Sequence, residues 1–344
     1  MKWKRWLALL LALLLLLCTT ACDSTSNNRD RDNDNDDHVI TDTTPSDNEQ
    51  PGDDVSVPSI FEQNGNGPLL YRVIDDDGDI VWLFGSIHVG YEDFYPLPDY
   101  VTDALEGSDG LAVEFDIVNF ESDYLAQTKA LTKLVYLDGT TIRDHLSEEV
   151  YEQAVDAMKD LGIYMSAYDM YMPVLWSSLI DSSLIDEKAT ALGVDRHLIE
   201  AAYDLDLPVI DVESADLQYG MMASYSDDLQ ELLLKSSLDG CADADAYNQE
   251  VQDLMDMWAE GDVAALREYL SSEGEDLSSE EQPLYEEYNT KMRTERDDNM
   301  TDFVLDALDD GEELFVCVGA AHVVGEGGII DQLLEEGYTV ELVK

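Results

Sequence analysis

Hydrophobic residues form short runs, separated by turn signals, near both ends of the chain. Leu69–Ile74 and Ile80–Ile87 flank the acidic loop Asp75–Asp79, whose Asp-Gly pair favours a tight turn, so this pattern predicts a β-hairpin. Four more apolar runs predict strands at Gly110–Phe115, Pro208–Val212, Glu313–Val318 and Tyr338–Val343.

Helical patterns lie between these strands. They cover Leu97–Leu105, Asp195–Tyr203, most of residues 217–308, and Gly327–Glu336. A further helix is predicted to begin at Ser147 and to end at Gly162. Strands and helices therefore alternate at the two ends of the chain. The expected fold class is α/β, with a mostly parallel or mixed sheet that is covered by helices and interrupted by a large helical insertion.

The N-terminal segment has the pattern of a secretory signal peptide. Lys2, Lys4 and Arg5 form a basic region, and Trp6–Leu17 is an almost unbroken apolar run. This run is shorter than the roughly 20 apolar residues that a membrane-spanning helix needs. We therefore expect residues 1–21 to be a signal peptide.

Cys22 follows Thr19-Thr20-Ala21, which resembles a lipobox and predicts that Cys22 is lipidated. Cys18 is the weaker candidate because Leu17 is bulky for the position before cleavage. An ordinary signal peptide with incidental cysteines is the alternative. The lipidated form would be anchored at the cell membrane on its extracytoplasmic face.

The segment after Cys22 is strongly polar. Residues 23–56 contain eleven Asp and Glu, two Arg and few apolar side chains, so they cannot bury enough surface to offset the chain entropy of folding. The sequence therefore predicts that residues 22–57 comprise the lipidated cysteine and an acidic disordered linker, and that residues 58–344 form the folded domain.

The charge of the chain excludes one class of partner. Its 77 acidic and 18 basic side chains give a net charge of −59, which is incompatible with binding nucleic acid through clustered Lys and Arg. Cations and basic peptides are compatible partners, and salt adaptation is an equal explanation of the acidity. The sequence carries no signal for an oligomeric state.

Two similar motifs are the first candidates for chemistry. Gly85 and Gly319 each end an apolar strand, and each is followed three residues later by a histidine, His88 or His322. Open α/β sheets bind ligands at the carboxyl ends of their strands, where these imidazoles are expected. The alternative is that both histidines are structural and close loops.

Glu114 is the third candidate, because it interrupts an apolar run and a buried carboxylate is costly unless it is paired or binds a metal. Together with the two imidazoles it could form a divalent-metal site with a bound water. It could instead be a general base, or it could form a structural ion pair with Arg296.

Across nearly all of residues 68–344 the chain resembles the TraB/PrgY/GumN family, which includes the Tiki metalloproteases. The matching stretches are the two Gly-x-x-His motifs, the Glu114 strand, Gly193-Val-Asp-Arg-His197, Val212-Glu-Ser…Gln218, Arg296-Asp-Asp-Asn-Met300 and Gly319-Ala-Ala-His322…Gly325…Gly337-Tyr338. The resemblance implies an α/β fold like that of erythromycin-esterase-like and haem-binding ChaN-like proteins.

The resemblance also implies a metal-dependent hydrolase that acts on peptides. His88 and His322 would then be metal ligands for zinc, manganese or cobalt, Glu114 the catalytic carboxylate, and Arg296 the group that stabilises an oxyanion or binds a substrate carboxylate. Many members have Asn directly after the arginine, whereas here Asn299 comes three residues later.

Two further acidic residues complete the set of candidates. Asp195 and Glu213 are expected in the pocket together with Asn299, although Asp195 also suits a helix N-cap and Glu213 suits a loop. The alternative function is a non-catalytic module on the same fold, which would bind or sequester a peptide or haem.

Overall fold

The computed structural model describes residues 59–63, 65–272 and 277–344. The predicted signal peptide, Cys22 and the whole of the acidic linker lie outside these ranges. Within them, no helix has both the length and the apolar composition needed to cross a membrane.

The described strands form one sheet. They are β1 (Leu70–Ile74), β2 (Ile80–Ser86), β3 (Gly110–Val113), β4 (Val209–Asp211), β5 (Leu314–Gly319) and β6 (Thr339–Leu342). Their spatial order is β4-β3-β5-β2-β1-β6, in which β4, β3, β5 and β2 are parallel neighbours, while β1 is antiparallel to both β2 and β6. The predicted mostly parallel, mixed sheet is confirmed.

Helices fill the connections between the strands. They are α1 (Asp99–Gly107), α2 (Ile117–Ser122), α3 (Tyr124–Lys133), α4 (Glu148–Asp160), α5 (Pro173–Leu184), α6 (Glu187–Ala191), α7 (Val194–Asp204), α8 (Ala215–Ala223), α9 (Asp227–Ala242), α10 (Ala244–Glu260), α11 (Val263–Ser271), α12 (Gln282–Asn289), α13 (Glu295–Asp309), α14 (Ala320–Val324) and α15 (Ile329–Glu336). A π-helical turn, Thr290–Thr294, joins α12 to α13. Helices α8 to α13 separate β4 from β5 and constitute the predicted helical insertion.

The predicted hairpin of β1 and β2 is confirmed, and its turn shows why the acidic loop is stable. The Asp75 carboxylate accepts backbone hydrogen bonds from Asp77, Gly78 and Asp79 at 2.7–2.9 Å. Gly78 has a φ of 92°, a left-handed conformation that glycine adopts without a steric penalty.

The sheet is covered by helices on both faces. On β5, Val316 and Val318 pack into the larger core cluster with α13 and α14, while Phe315 and Cys317 pack against α1 and α7 on the opposite face. This alternation is the expected consequence of the two-residue period of a strand. Because both faces are buried, polar side chains of the parallel strands reach solvent mainly at the strand ends.

Candidate functional site

Four polar side chains lie at one edge of the sheet, just beyond the carboxyl ends of its four parallel strands. Glu213 follows β4, Glu114 follows β3, His322 follows β5 and His88 follows β2. The carboxyl ends of parallel neighbours meet at the same edge, so four segments that are distant in the sequence become adjacent there.

Arg296 of α13 binds two of these carboxylates. Its Nε lies 2.8 Å from Oε1 of Glu213, and its Nη2 lies 2.7 Å from Oε2 of Glu114 and 2.8 Å from Oε2 of Glu213. The Arg296 side chain is only 2% exposed. The ion pair that the sequence left as an alternative for Glu114 is therefore present, and it includes Glu213 as well.

Both oxygens of Glu114 are hydrogen bonded. Oε1 accepts from the backbone N–H of Gly319 at 3.0 Å, and Oε2 accepts from Gln218 Nε2 at 3.1 Å in addition to Arg296. Burial by itself would raise the pKa of Glu114, but the charge of Arg296, together with those of the two nearby imidazoles when they are protonated, holds the pKa well below its usual range. Glu114 is thus a fixed negative charge.

His88 is paired with Asp195, which α7 presents from its first turn. His88 Nδ1 lies 2.8 Å from Oδ2 of Asp195, while the buried Nε2 has no hydrogen-bond partner among the described residues. Burial lowers the pKa of His88, but the charge and hydrogen bond of Asp195 and the charge of Glu114 outweigh it and raise the pKa to about 9. The imidazole therefore carries a proton at neutral pH.

His322 has an equivalent carboxylate partner. It lies on α14, and its Nδ1 is 2.5 Å from Oδ1 of Asp297, which is itself almost fully buried. Asp297 directly follows Arg296 on α13, and both side chains face inward just after the π-helical turn. Such π turns recur at functional sites because they alter which residues a helix directs inward.

The structure brings together most, but not all, of the candidate residues. Asp195 and Glu213 join the cluster, whereas Asn299 is exposed and its side chain bonds the carbonyl of Glu295 one turn back in α13. Asp297 was not singled out from the sequence, where it is one of three acids in the first turn of α13. Only its buried position distinguishes it from the other two.

An apolar pocket adjoins the cluster. It is lined by residues from the ends of β2 and β5 and from α10, α11 and α14, and His88 forms part of its wall. The pocket encloses about 680 Å³, including its open mouth. Its lining is almost entirely apolar, as in most small-molecule sites.

The donor set does not fit a three-ligand metal centre in this arrangement. Glu114 uses both oxygens for protein donors, and the described residues include no group of three His, Cys, Asp or Glu placed to hold an ion. Two imidazoles with carboxylate partners do remain, and such partners orient metal-bound histidines in many proteins.

The chain belongs to the TraB/PrgY/gumN family, whose profile matches residues 69–342. It is similar to the uncharacterized protein YbaP of Escherichia coli (strain K12) and of Shigella flexneri, with 28% identity over 149 residues in each case. Each match covers 42% of this chain and 52% of the relative, so the chain spans about half the length of the curated relatives it matches. No solved structure matches the chain.

Proposed function

We propose that this protein is a hydrolase that cleaves peptide bonds at the sheet edge, tethered through Cys22 to the extracytoplasmic face of the cell membrane. One observation carries the catalytic part of the proposal. Two imidazoles, each held by its own carboxylate at Nδ1, lie at neighbouring strand ends with the ionised Glu114 close to both. A carboxylate at Nδ1 orients the ring and directs Nε2 toward a reactant.

The two histidines have different roles in this proposal. His88, protonated because of Asp195 and Glu114, donates from its unpartnered Nε2 to the carbonyl oxygen and stabilises the negative charge that develops there. His322 accepts a proton from the attacking water as the water oxygen bonds to the carbonyl carbon. When the C–N bond breaks, His322 returns that proton to the leaving nitrogen, and the products are an amine and a carboxylic acid, which then releases its proton to solvent.

The Arg296 cluster supports these steps without contacting the substrate. Because Arg296 forms ion pairs with Glu114 and Glu213 inside the protein, it fixes both carboxylates in place. Glu114 in turn favours the protonated form of His88. We therefore assign Arg296 and Glu114 as positioning residues.

The test is hydrolysis of a peptide library by the full chain, with and without chelator and with zinc, manganese or cobalt added, combined with metal analysis of the purified protein. We expect turnover that His88→Ala and His322→Ala abolish. Unchanged turnover in both variants would refute the proposed roles. Activity only with metal would instead assign the two Nε2 atoms as metal ligands, as the family resemblance implies.

The unpartnered Nε2 of His88 in the wall of an apolar pocket also favours a second candidate, a module that binds a peptide or haem without turnover. Glu114→Gln separates the two functions. Loss of turnover in this variant supports the hydrolase, whereas tight binding by the wild type with no product supports the module. Haem binding would be recognised by a Soret absorbance band that His88→Ala removes.

A further inference from the structure

We infer that the apolar pocket beside His88 is a specificity site for a neutral, bulky aliphatic or aromatic side chain of the peptide substrate. The inference deepens the proposed function and rests on it for the identity of the bound molecule. The proposed occupant is one apolar side chain and the adjoining backbone, with the scissile carbonyl at the mouth of the pocket near His88.

The lining of the pocket selects against charge. Its walls include Leu254 and Trp258 of α10, Leu266 and Leu270 of α11, and Val324 of α14, and among its described lining residues there is no Asp, Glu, Lys or Arg. In a chain with 95 such residues (77 acidic and 18 basic), a pocket of this size without any of them is a distinct environment. A cationic side chain would lose its hydration there without gaining a partner, and a carboxylate would have only the His88 imidazole at one side of the pocket.

The pocket is continuous with the proposed site of reaction. Gly319, Ala320 and Ala321 form its side at the end of β5, directly before His322, and His88 forms its side at the end of β2. A side chain inside the pocket would therefore place its own backbone between the two histidine segments. This position is where a scissile bond must lie for both imidazoles to act on it.

Three contacts hold the helical wall of the pocket in place. The indole N–H of Trp258 donates to the carbonyl of Gly85 at 2.7 Å, which fixes α10 against β2. Arg267 of α11 donates to the carbonyl of Val324 at 2.9 Å, which fixes α11 against α14. Gly261, between α10 and α11, accepts a hydrogen bond from the N–H of Gly65 at 3.0 Å. The pocket is therefore formed before a ligand enters, which reduces the entropic cost of binding.

The test measures binding and turnover separately in the full-length protein. Binding of blocked dipeptide amides is followed by Trp258 fluorescence and calorimetry, with Leu, Phe, Asp or Lys at one position, and hydrolysis of matching peptides is measured in parallel. We expect the Leu and Phe compounds to bind at least about tenfold more tightly than the Asp and Lys compounds. Equal affinities would overturn the inference.

Leu254 is half-buried, so it can be replaced with little risk to folding. Leu254→Trp should fill the pocket and Leu254→Ser should make it polar, and each should weaken binding of the Leu and Phe compounds by about tenfold or more. Leu334→Trp is the matched control, because Leu334 lies on α15 outside the pocket and is 41% exposed. Unchanged affinity in both Leu254 variants would contradict the assignment.

The outcomes distinguish the two proposals. Selective binding of apolar compounds without any turnover would refute the hydrolase but support the pocket. Turnover with no preference for apolar side chains would refute the pocket but support the hydrolase. Binding of a fatty acid, with no binding of any dipeptide, would assign the pocket to lipid and overturn the inference.

Discussion

The carboxyl ends of β2 and β5 carry the same Gly-x-x-His motif in two different surroundings. After β2 the chain continues as a loop, and the side chain of His88 is 17% exposed beside the apolar pocket. After β5 it continues as the short helix α14, and the side chain of His322 is 7% exposed. Each imidazole nevertheless binds one carboxylate through Nδ1.

The intervening residues account for much of this difference. Ala320 and Ala321 are strong helix formers, so α14 begins directly after Gly319. Ser86 and the β-branched Ile87 favour a strand or loop instead. The shared spacing places both histidines at the sheet edge, whereas the residues within each motif influence the exposed fraction of the histidine side chain.

The largest expected effect is the loss of activity when either imidazole is removed. His322→Ala should lower kcat/KM by about 10²–10⁴-fold, because it removes the proton acceptor. His88→Ala should lower kcat/KM by about 10²–10³-fold, because it removes the hydrogen-bond donor to the oxyanion. His145→Ala is a suitable control, since that ring is stacked on Tyr136 with a centroid distance of 4.0 Å and lies outside the cluster. Peptide turnover measures the effect, and equal losses in all three variants would contradict the comparison.

The next effect concerns the buried ion pairs of Arg296 with Glu114 and Glu213. Arg296→Met should destabilise the protein by about 3–5 kcal/mol, because it leaves Glu114 and Glu213 buried without a cation. Urea unfolding measures the change in the free energy of unfolding. Adding Glu114→Gln and Glu213→Gln to this variant should restore much of the stability, and failure to do so would show that packing by Arg296 matters more than its charge.

The His88–Asp195 pair should also make the stability of the protein depend on pH. The pKa of His88 is about 9 in the folded protein against the ordinary value of 6.5, so the folded state binds this proton more tightly than the unfolded state does. The resulting stabilisation, of order 3 kcal/mol, is fully present below about pH 6.5 and is lost as the pH rises through about 9.

Urea unfolding at about pH 6 and about pH 10 tests this dependence. Asp195→Asn should remove most of the pH-dependent difference, because it eliminates the main group that raises the pKa of His88. Asp297→Asn should leave that difference in place. An identical response of the two variants would show that Asp195 is not the main group that raises the pKa of His88.

The smallest expected effects come from the two motif glycines. A Cβ on Gly85 would lie 3.1 Å from the backbone Cα of Ala320, whereas a Cβ on Gly319 would lie 3.3 Å from Oε1 of Glu114 and 3.5 Å from the ring of His322. Gly85→Ala should therefore lower the free energy of unfolding by about 1–3 kcal/mol. Gly319→Ala should lower it by less, but should reduce activity more than Gly85→Ala does. Unfolding and turnover assays on both variants would show whether the two effects separate in this way.

Much of the fold could be predicted from the sequence, because it depends on local patterns. The hairpin of β1 and β2, the buried strand β5 and the helical insertion all follow from hydrophobic period and turn residues. The predicted strand ending at Phe115 was too long, since β3 ends at Val113 and Glu114 lies just beyond it. This shift changes Glu114 from a strand residue into part of the sheet edge.

The candidate site was predicted less completely. His88, Glu114 and His322 could be identified, because histidine after a strand and a carboxylate within an apolar run are unusual locally. Asp297 could not, since acids are common in the first turn of a helix and nothing in the sequence marks one of them as buried. Asn299, chosen by family resemblance, is exposed because it lies on the outer face of α13.

Local patterns in the sequence were enough to predict most of the strands and helices and the motifs that follow the strands, because these depend on neighbours along the chain. Only the tertiary structure decided which carboxylate each histidine binds and that Arg296 bridges Glu114 and Glu213. Asp195 comes from α7, Asp297 and Arg296 come from α13, and Arg296 is 182 residues from Glu114. Their meeting depends on how helices pack against the sheet edge, where the cost of burying charge leaves few arrangements in which every charge is paired.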